Sequence, residues 1–154
     1  MDLDDLDRRL VELFSAEPRV GVLEASRRLG AARGTVQSRL DRMLRAGVIR
    51  GFGPELDPAA MGFPVTAFCS LEIRQGLGHA AVAQHLAAIP EVIEAHTITG
   101  AGDLLVRVVA RSNVDLQRVI DVVVDDEHVL RTSTLIALDT QVPYRVLPLV
   151  RSTA

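Results

Sequence analysis

Apolar residues in the first third of the chain recur at helical spacing, and those further on mostly alternate. Leu3, Leu6, Leu10, Leu13 and Phe14 follow in steps of three and four, the stripe of an amphipathic helix. Its early aspartates (Asp2, Asp4, Asp5, Asp7) suit the positive end of a helix dipole, and Pro18 ends it. A short helix is expected over Val22–Leu29, closed by Gly30, where a glycine takes positive φ and turns the chain sharply. Val36, Leu40, Met43 and Leu44 form the apolar stripe of a third helix over residues 33–46, closed by Gly47. Its opposite face carries Thr35, Ser38, Asp41, Arg42 and Arg45, with Gln37 and Arg39 on the flanks. Helix, glycine turn and a second helix with a polar, arginine-bearing face is the pattern of a helix-turn-helix. An αα-hairpin with a solvated charged face has the same periodicity. The run VIRGFGPELDP alternates briefly before Gly51, Gly53 and Pro54 break it, and reads as a small hairpin or wing.

These elements predict a winged helix-turn-helix over residues 1–56. Residues 57–64 (DPAAMGFP), with two prolines and a glycine, read as a linker. Beyond them Val65, Ala67, Cys69, Leu71 and Ile73 alternate with Thr66, Phe68, Ser70 and Glu72, a strand with its small apolar set turned inward and Phe68 outward. A helix with Val82, Leu86 and Ile89 on one face follows, stopped by Pro90. Strands over 92–99 and 104–110, a helix capped by Ser112 or Asn113, and a strand over 132–139 complete the order β-α-β-β-α-β. That is the ferredoxin-like split unit, so the fold class is α+β, with residues 65–154 as the second domain. The final run VPYRVLPLV is apolar without an assigned partner: it either completes a neighbour's sheet or packs on its own domain.

Net charge sharpens this division. The whole chain carries −3, and all 17 basic residues are arginine. Residues 1–18 hold two Arg against six acids, residues 19–50 eight Arg against two, and residues 51–154 seven Arg against twelve. The segments therefore carry −4, +6 and −5. Positive charge gathers on the helix-turn-helix, as binding to the phosphates of double-stranded DNA requires. No apolar run approaches the roughly 18–20 residues of a membrane span, and the acidic start is the opposite of a signal peptide, so a cytoplasmic protein without membrane association is expected. Cys69, the only cysteine, reads as a small buried hydrophobe. His79, His85, His96 and His128 lack metal-ligand spacing, and neither a metal nor a cofactor is expected.

Taken together, DDLDRRLVELF, the EASRRLG–TVQSRLDRM–AGVIRGF run, LDP, TGAGDLLVRV and RTSTLIAL resemble the Lrp/AsnC (leucine-responsive/asparagine, feast-famine) family of bacterial transcription regulators. The resemblance spans almost the whole chain. It implies a winged helix-turn-helix joined to an effector-binding and oligomerisation module that forms dimers, often tetramers or octamers, with amino acids or related metabolites as effectors. Two departures stand out. Ala31, Ala32 and Gly34 lie where the family usually has Ser or a Pro-containing turn, so the third helix lacks a side-chain N-cap. The loop GAGD is small where many relatives are bulkier.

Thr35, Gln37 and Ser38 are the expected base readers, because the first turns of a recognition helix enter the major groove most deeply. Arg33, Arg39, Arg42 and Arg50 are the expected phosphate contacts, with Arg42 also suited to a guanine. Asp41 and Arg45 are expected to pair with each other. The resemblance marks Gly100, Gly102, Asp103, Thr132 and Thr134 as the effector site. Glycines admit a ligand carboxylate close to the backbone, and Asp103 receives an ammonium. GAGD also fits a plain hairpin turn. Two other classes share the architecture: a sirohaem-decarboxylase-like enzyme, in which His96 and Arg107 would meet a tetrapyrrole carboxylate, and a metabolite-sensing module without DNA binding. The intact arginines and the +6 segment argue against both, so no enzymatic activity is expected.

Overall fold

A computed structural model describes residues 2–74 and 78–152. Helix α1 (Asp5–Ala16) begins with a reciprocal cap, in which the Asp4 carboxylate accepts from Asp7 N at 2.9 Å and the Asp7 carboxylate accepts from Asp4 N at 3.3 Å. Helix α2 (Val22–Leu29) ends at Gly30, φ 66°, where the Gly30 and Ala31 N–H groups return to the carbonyls of Arg27 and Ser26. Helix α3 (Arg33–Arg45) starts from Ala32 with no side-chain cap. Leu10, Phe14, Ala25, Val36, Leu40 and Met43 form the helical core. Leu44, expected in that stripe, lies at its edge and is 37% exposed.

The expected hairpin over 48–58 does not form: residues 46–64 contain no strand. Val48 and Ile49 both donate to the Met43 carbonyl, and Phe52 folds back with its ring centroid 5.5 Å from that of Phe14. The single alternating arm has no second arm beside it, Pro54 removes a donor, and an isolated two-stranded ribbon is marginal in water. Arg50 is exposed on this extended segment.

The chain divides into two compact units, Met1–Glu55 together with Val142–Ala154, and Leu56–Gln141. The apolar tail, assigned by sequence to the second domain, thus belongs with the helices. It forms α6 (Leu147–Ser152) against α1, where Leu147 and Val150 flank a groove with Val11 and Ile49, and Arg151 Nε lies 2.6 Å from Glu12 Oε1.

The second unit contains β1 (Val65–Ile73), α4 (Gly78–Ala87), β2 (Val92–Thr97), β3 (Leu104–Ala110), α5 (Asn113–Val124) and β4 (Val129–Ala137). The strands form one antiparallel sheet in the order β2-β3-β1-β4, the ferredoxin-like arrangement. As the alternation requires, Ala67, Cys69, Leu71 and Ile73 are buried, with Val82 and Leu86 of α4 and Leu116, Val119 and Val123 of α5 in the same core. Thr66, Phe68, Ser70 and Glu72 are only half-buried on the other sheet face, and Leu135, opposite Phe68, is 70% exposed. Ser112 caps α5, its Oγ accepting from Asp115 N at 3.1 Å. Strand β4 begins three residues earlier than its alternation suggests, because a register shift at Glu72/Ile73 lets Val129 pair with Ile73. Burial raises the Cys69 thiol above its ordinary pKa, so it is an inert core group.

Candidate nucleic-acid interface and effector turn

The buried stripe of α3 anchors the helix and leaves Arg33, Thr35, Gln37, Ser38 and Arg42 exposed. Gly34, Thr35, Ser38, Arg39 and Arg42 border a shallow, open depression on its outer side. Arg33 and Arg50 make no ion pair among the described residues. Gln37 donates from Nε2 to Asp41 Oδ1 at 2.8 Å, an exposed i,i+4 contact that exchange for a base edge would break. The expected Asp41–Arg45 ion pair is absent; Arg45 Nε donates instead to the Asp41 carbonyl at 3.2 Å, leaving the carboxylate to Gln37.

Arg39 stands apart from the other phosphate candidates. It is only 25% exposed, and Nη1 donates to Asp4 Oδ2 at 2.5 Å and Asp7 Oδ1 at 2.9 Å. Its hydrogen bonds to Asp4, then to Asp7, raise its pKa, while the Arg39 bond holds the Asp4 carboxyl below the usual aspartate range. Arg42 Nη2 also reaches Asp7, at Oδ2. The sequence reading of Asp4 and Asp7 as dipole partners overlooked this tie between α1 and α3. The D-x-x-D spacing ahead of an apolar run was a usable sign, since a capping box gathers two carboxylates at one helix start.

At the far end of the sheet, the GAGD loop is built as a turn. Gly100 has φ 118°, a conformation that favours glycine, and Gly102 is buried. Asp103 N donates to the Leu71 carbonyl at 2.8 Å, and Asp103 Oδ2 accepts from Ile73 N at 2.8 Å. The second carboxylate oxygen, Oδ1, has no hydrogen-bond partner among the described residues. Thr132 pairs with Leu71 and Thr134 with Cys69 on the other side of β1. Both threonines lie on the helix-facing side; Thr134 Oγ1 is 3.5 Å from Cys69 Sγ, while Thr132 Oγ1 is buried without a hydrogen-bond partner. Gly102, Asp103 and Thr132 thus flank the end of β1, with Asp103 on one side and Thr132 on the other, while Thr134 lies opposite the middle of that strand.

His96 and Arg107 do share the open sheet face, as the tetrapyrrole reading needs. Both are engaged by Glu94, His96 Nε2 at 3.0 Å and Arg107 Nη1 at 3.9 Å, so that carboxylate opposes an anionic ligand there.

Residues 3–50 match the family described as winged helix-turn-helix DNA-binding, and residues 66–147 match the Lrp/AsnC ligand binding domain. The HTH-type transcriptional regulator FL11 of Pyrococcus furiosus is 30% identical over 146 residues, 95% of this chain and 96% of the relative. Regulatory protein AsnC of Escherichia coli K12 is 27% identical over 147 residues, 95% and 97% of the two chains. The solved structure of E. coli AsnC superposes with a TM-score of 0.87 at 26% identity, over 96% of this chain and 100% of that one. A transcriptional regulator from Neisseria meningitidis, solved as a complex with L-Met, shares the fold with a TM-score of 0.78 at 22% identity, over 90% of this chain and 92% of that one. Fold, exposed arginine-bearing helix and matched domains define a DNA-binding transcriptional regulator with a ligand-binding module. The chain belongs to the Lrp/AsnC family. Its relatives are regulators, and the decarboxylase reading falls with that finding. No helix among the described residues is long and apolar enough to cross a membrane.

Proposed function

We propose that this regulator reads a specific operator through the outer face of α3 and that an amino acid, or a closely related metabolite, controls its assembly and DNA affinity. Thr35, Gln37 and Ser38 read base edges from the first turns of α3. Arg33 and Arg50 meet phosphates and Arg42 is placed to read a guanine, whereas Arg39 braces α3 against α1. The protein works as a homodimer joined through the open sheet face, where Phe68 and Leu135 lie side by side, and dimers combine into tetramers or octamers. A dimer presents two recognition helices to a roughly palindromic site.

The observation that carries the effector assignment is the pair of unused polar atoms flanking the end of β1, Asp103 Oδ1 and Thr132 Oγ1. A buried hydroxyl without a partner costs about 1–3 kcal/mol, a cost that a polar ligand removes. Asp103 receives the α-ammonium, Thr132 donates to the α-carboxylate, and the Gly100–Gly102 backbone lines the approach. The Neisseria protein of the same fold was solved with L-Met. Ligand bound here changes how dimers meet, and so the spacing of helix-turn-helix pairs.

Thermal denaturation with each of the twenty amino acids tests this assignment, using Asp103→Asn as the control. An asparagine oxygen keeps the bond to Ile73 N and removes only the charge. One or more amino acids should raise the melting temperature of the natural chain, and none should raise that of Asp103→Asn. An undiminished rise in Asp103→Asn places the ammonium site elsewhere.

A further inference from the structure

Asp7 is the only buried charged residue among the described residues, its side chain 1% exposed. A buried carboxylate is tolerated only when paired and hydrogen-bonded. Its partners come from the helix that faces DNA: Arg39 Nη1 on Oδ1, Arg42 Nη2 on Oδ2, with Asp4 N also on Oδ2. The two arginines are not held alike. Arg39 is 25% exposed and shared with Asp4, whereas Arg42 is 47% exposed and gives Asp7 only Nη2. Arg42 Nη1 and Nε have no partner among the described residues, and the side chain borders the depression with Thr35 and Ser38.

We infer that Asp7 is a positioning residue for DNA recognition: it grips one edge of the Arg42 guanidinium so that the other edge meets DNA at a fixed place beside Thr35 and Ser38. The inference rests on the reading of α3 as the DNA-reading helix. A guanidinium is planar, with its donors in a rigid fork, so fixing one edge fixes the direction of the rest. A released Arg42 samples several rotamers and neutralises any nearby phosphate. Asp7 therefore contributes sequence preference at the expense of non-specific affinity. A purely structural tie between α1 and α3 would instead raise or lower both kinds of binding together.

Asp7→Asn keeps the shape and removes the charge. The probes are a duplex selected from a random library by the natural chain and a scrambled duplex of equal length, titrated over a range of salt. The selected-over-scrambled ratio is expected to fall roughly tenfold, the size of a typical coupling between contacting groups. Binding to the scrambled duplex should hold or strengthen, with a salt slope steeper by about one unit as one more cation becomes free for phosphate. In an Arg42→Gln background, Asp7→Asn should leave the ratio unchanged. Loss of both affinities in the same proportion, or an equal effect of Asp7→Asn in that background, overturns the inference. If circular dichroism shows Asp7→Asn unfolded, Arg42→Lys decides: it keeps the charge but cannot span carboxylate and DNA, so the ratio should fall at constant salt slope, and an unchanged ratio overturns the inference. A natural chain that selects no duplex contradicts the reading of α3 itself, a failure distinct from the others.

Discussion

A methyl group at Gly102 would sit 2.3 Å from Ser70 Oγ and 3.2 Å from the Leu71 carbonyl, because Asp103 ties the turn to the end of β1. The demand at Gly102 is for space, whereas at Gly100 it is for backbone conformation. Gly102→Ala should therefore destabilise the protein by about 1–3 kcal/mol, as overpacking does. Adding Ser70→Ala should recover part of that, since the nearest remaining Ser70 atom is Cβ at 3.6 Å. Chemical denaturation of the single and double variants checks both, and a Gly102→Ala protein as stable as the natural one contradicts the packing. Charged groups set a second expectation. Hydrogen bonds from Arg39 to Asp4, from Arg118 to Glu91, from the Arg111 backbone to Asp115 and from the His128 backbone to Asp126 lower those four carboxyl pKa values. Carboxyls lowered in the folded state stabilise it above their ordinary values, 3.8 for aspartate and 4.5 for glutamate, and that stabilisation is lost as pH falls through the depressed values. The melting temperature should stay flat from about pH 6 to 5 and drop below about pH 4. A protein equally stable at pH 3 and pH 6 would show that these bonds do not persist in solution.

The elements divide by how locally they are specified. The three helices and β1 were legible because each carries its own periodicity and its own stop: Pro18 after α1, Gly30 after α2, Gly47 after α3. The wing and the tail were not, because both depend on partners distant in sequence. VIRGF alternates like a strand, yet Val48 and Ile49 turn back onto Met43 and Phe52 onto Phe14. VPYRVLPLV is apolar without a readable period, and its place is set by α1, far upstream in the chain. Its exposed Arg151–Glu12 pair contributes little by itself, and Leu147 and Val150 line a groove beside Val11 and Ile49. Ending the chain at Gln141 should lower the stability of the helical unit by about 2 kcal/mol, the burial of one or two aliphatic side chains. Hydrogen exchange should quicken in α1 and stay unchanged in β1 and β3. Equal exchange in α1 with and without the tail would contradict its place in that unit. Site residues followed the same rule. Exposed positions of α3 were readable from helical spacing, whereas the role of Arg39 depends on Asp4 and Asp7, more than thirty residues earlier. The β1 contacts of Asp103 were likewise invisible to local pattern.

At the scale of the molecule, opposite charges and two cores give the halves different tasks. The arginine-bearing helix-turn-helix is the DNA-binding part, and the acidic sheet unit is the ligand-binding module. Communication between them is a free energy, and it must be reciprocal: a ligand that changes DNA affinity has its own affinity changed by DNA in the same ratio. The most direct test is fluorescence anisotropy of the selected duplex, titrated with protein in the absence and presence of each amino acid that raises the melting temperature. Ligand affinity is then measured with and without the duplex. One such amino acid should shift DNA affinity by roughly 5–150-fold, and the duplex should shift ligand affinity by the same factor. DNA binding that is sequence-specific yet identical with and without every amino acid would contradict this coupling.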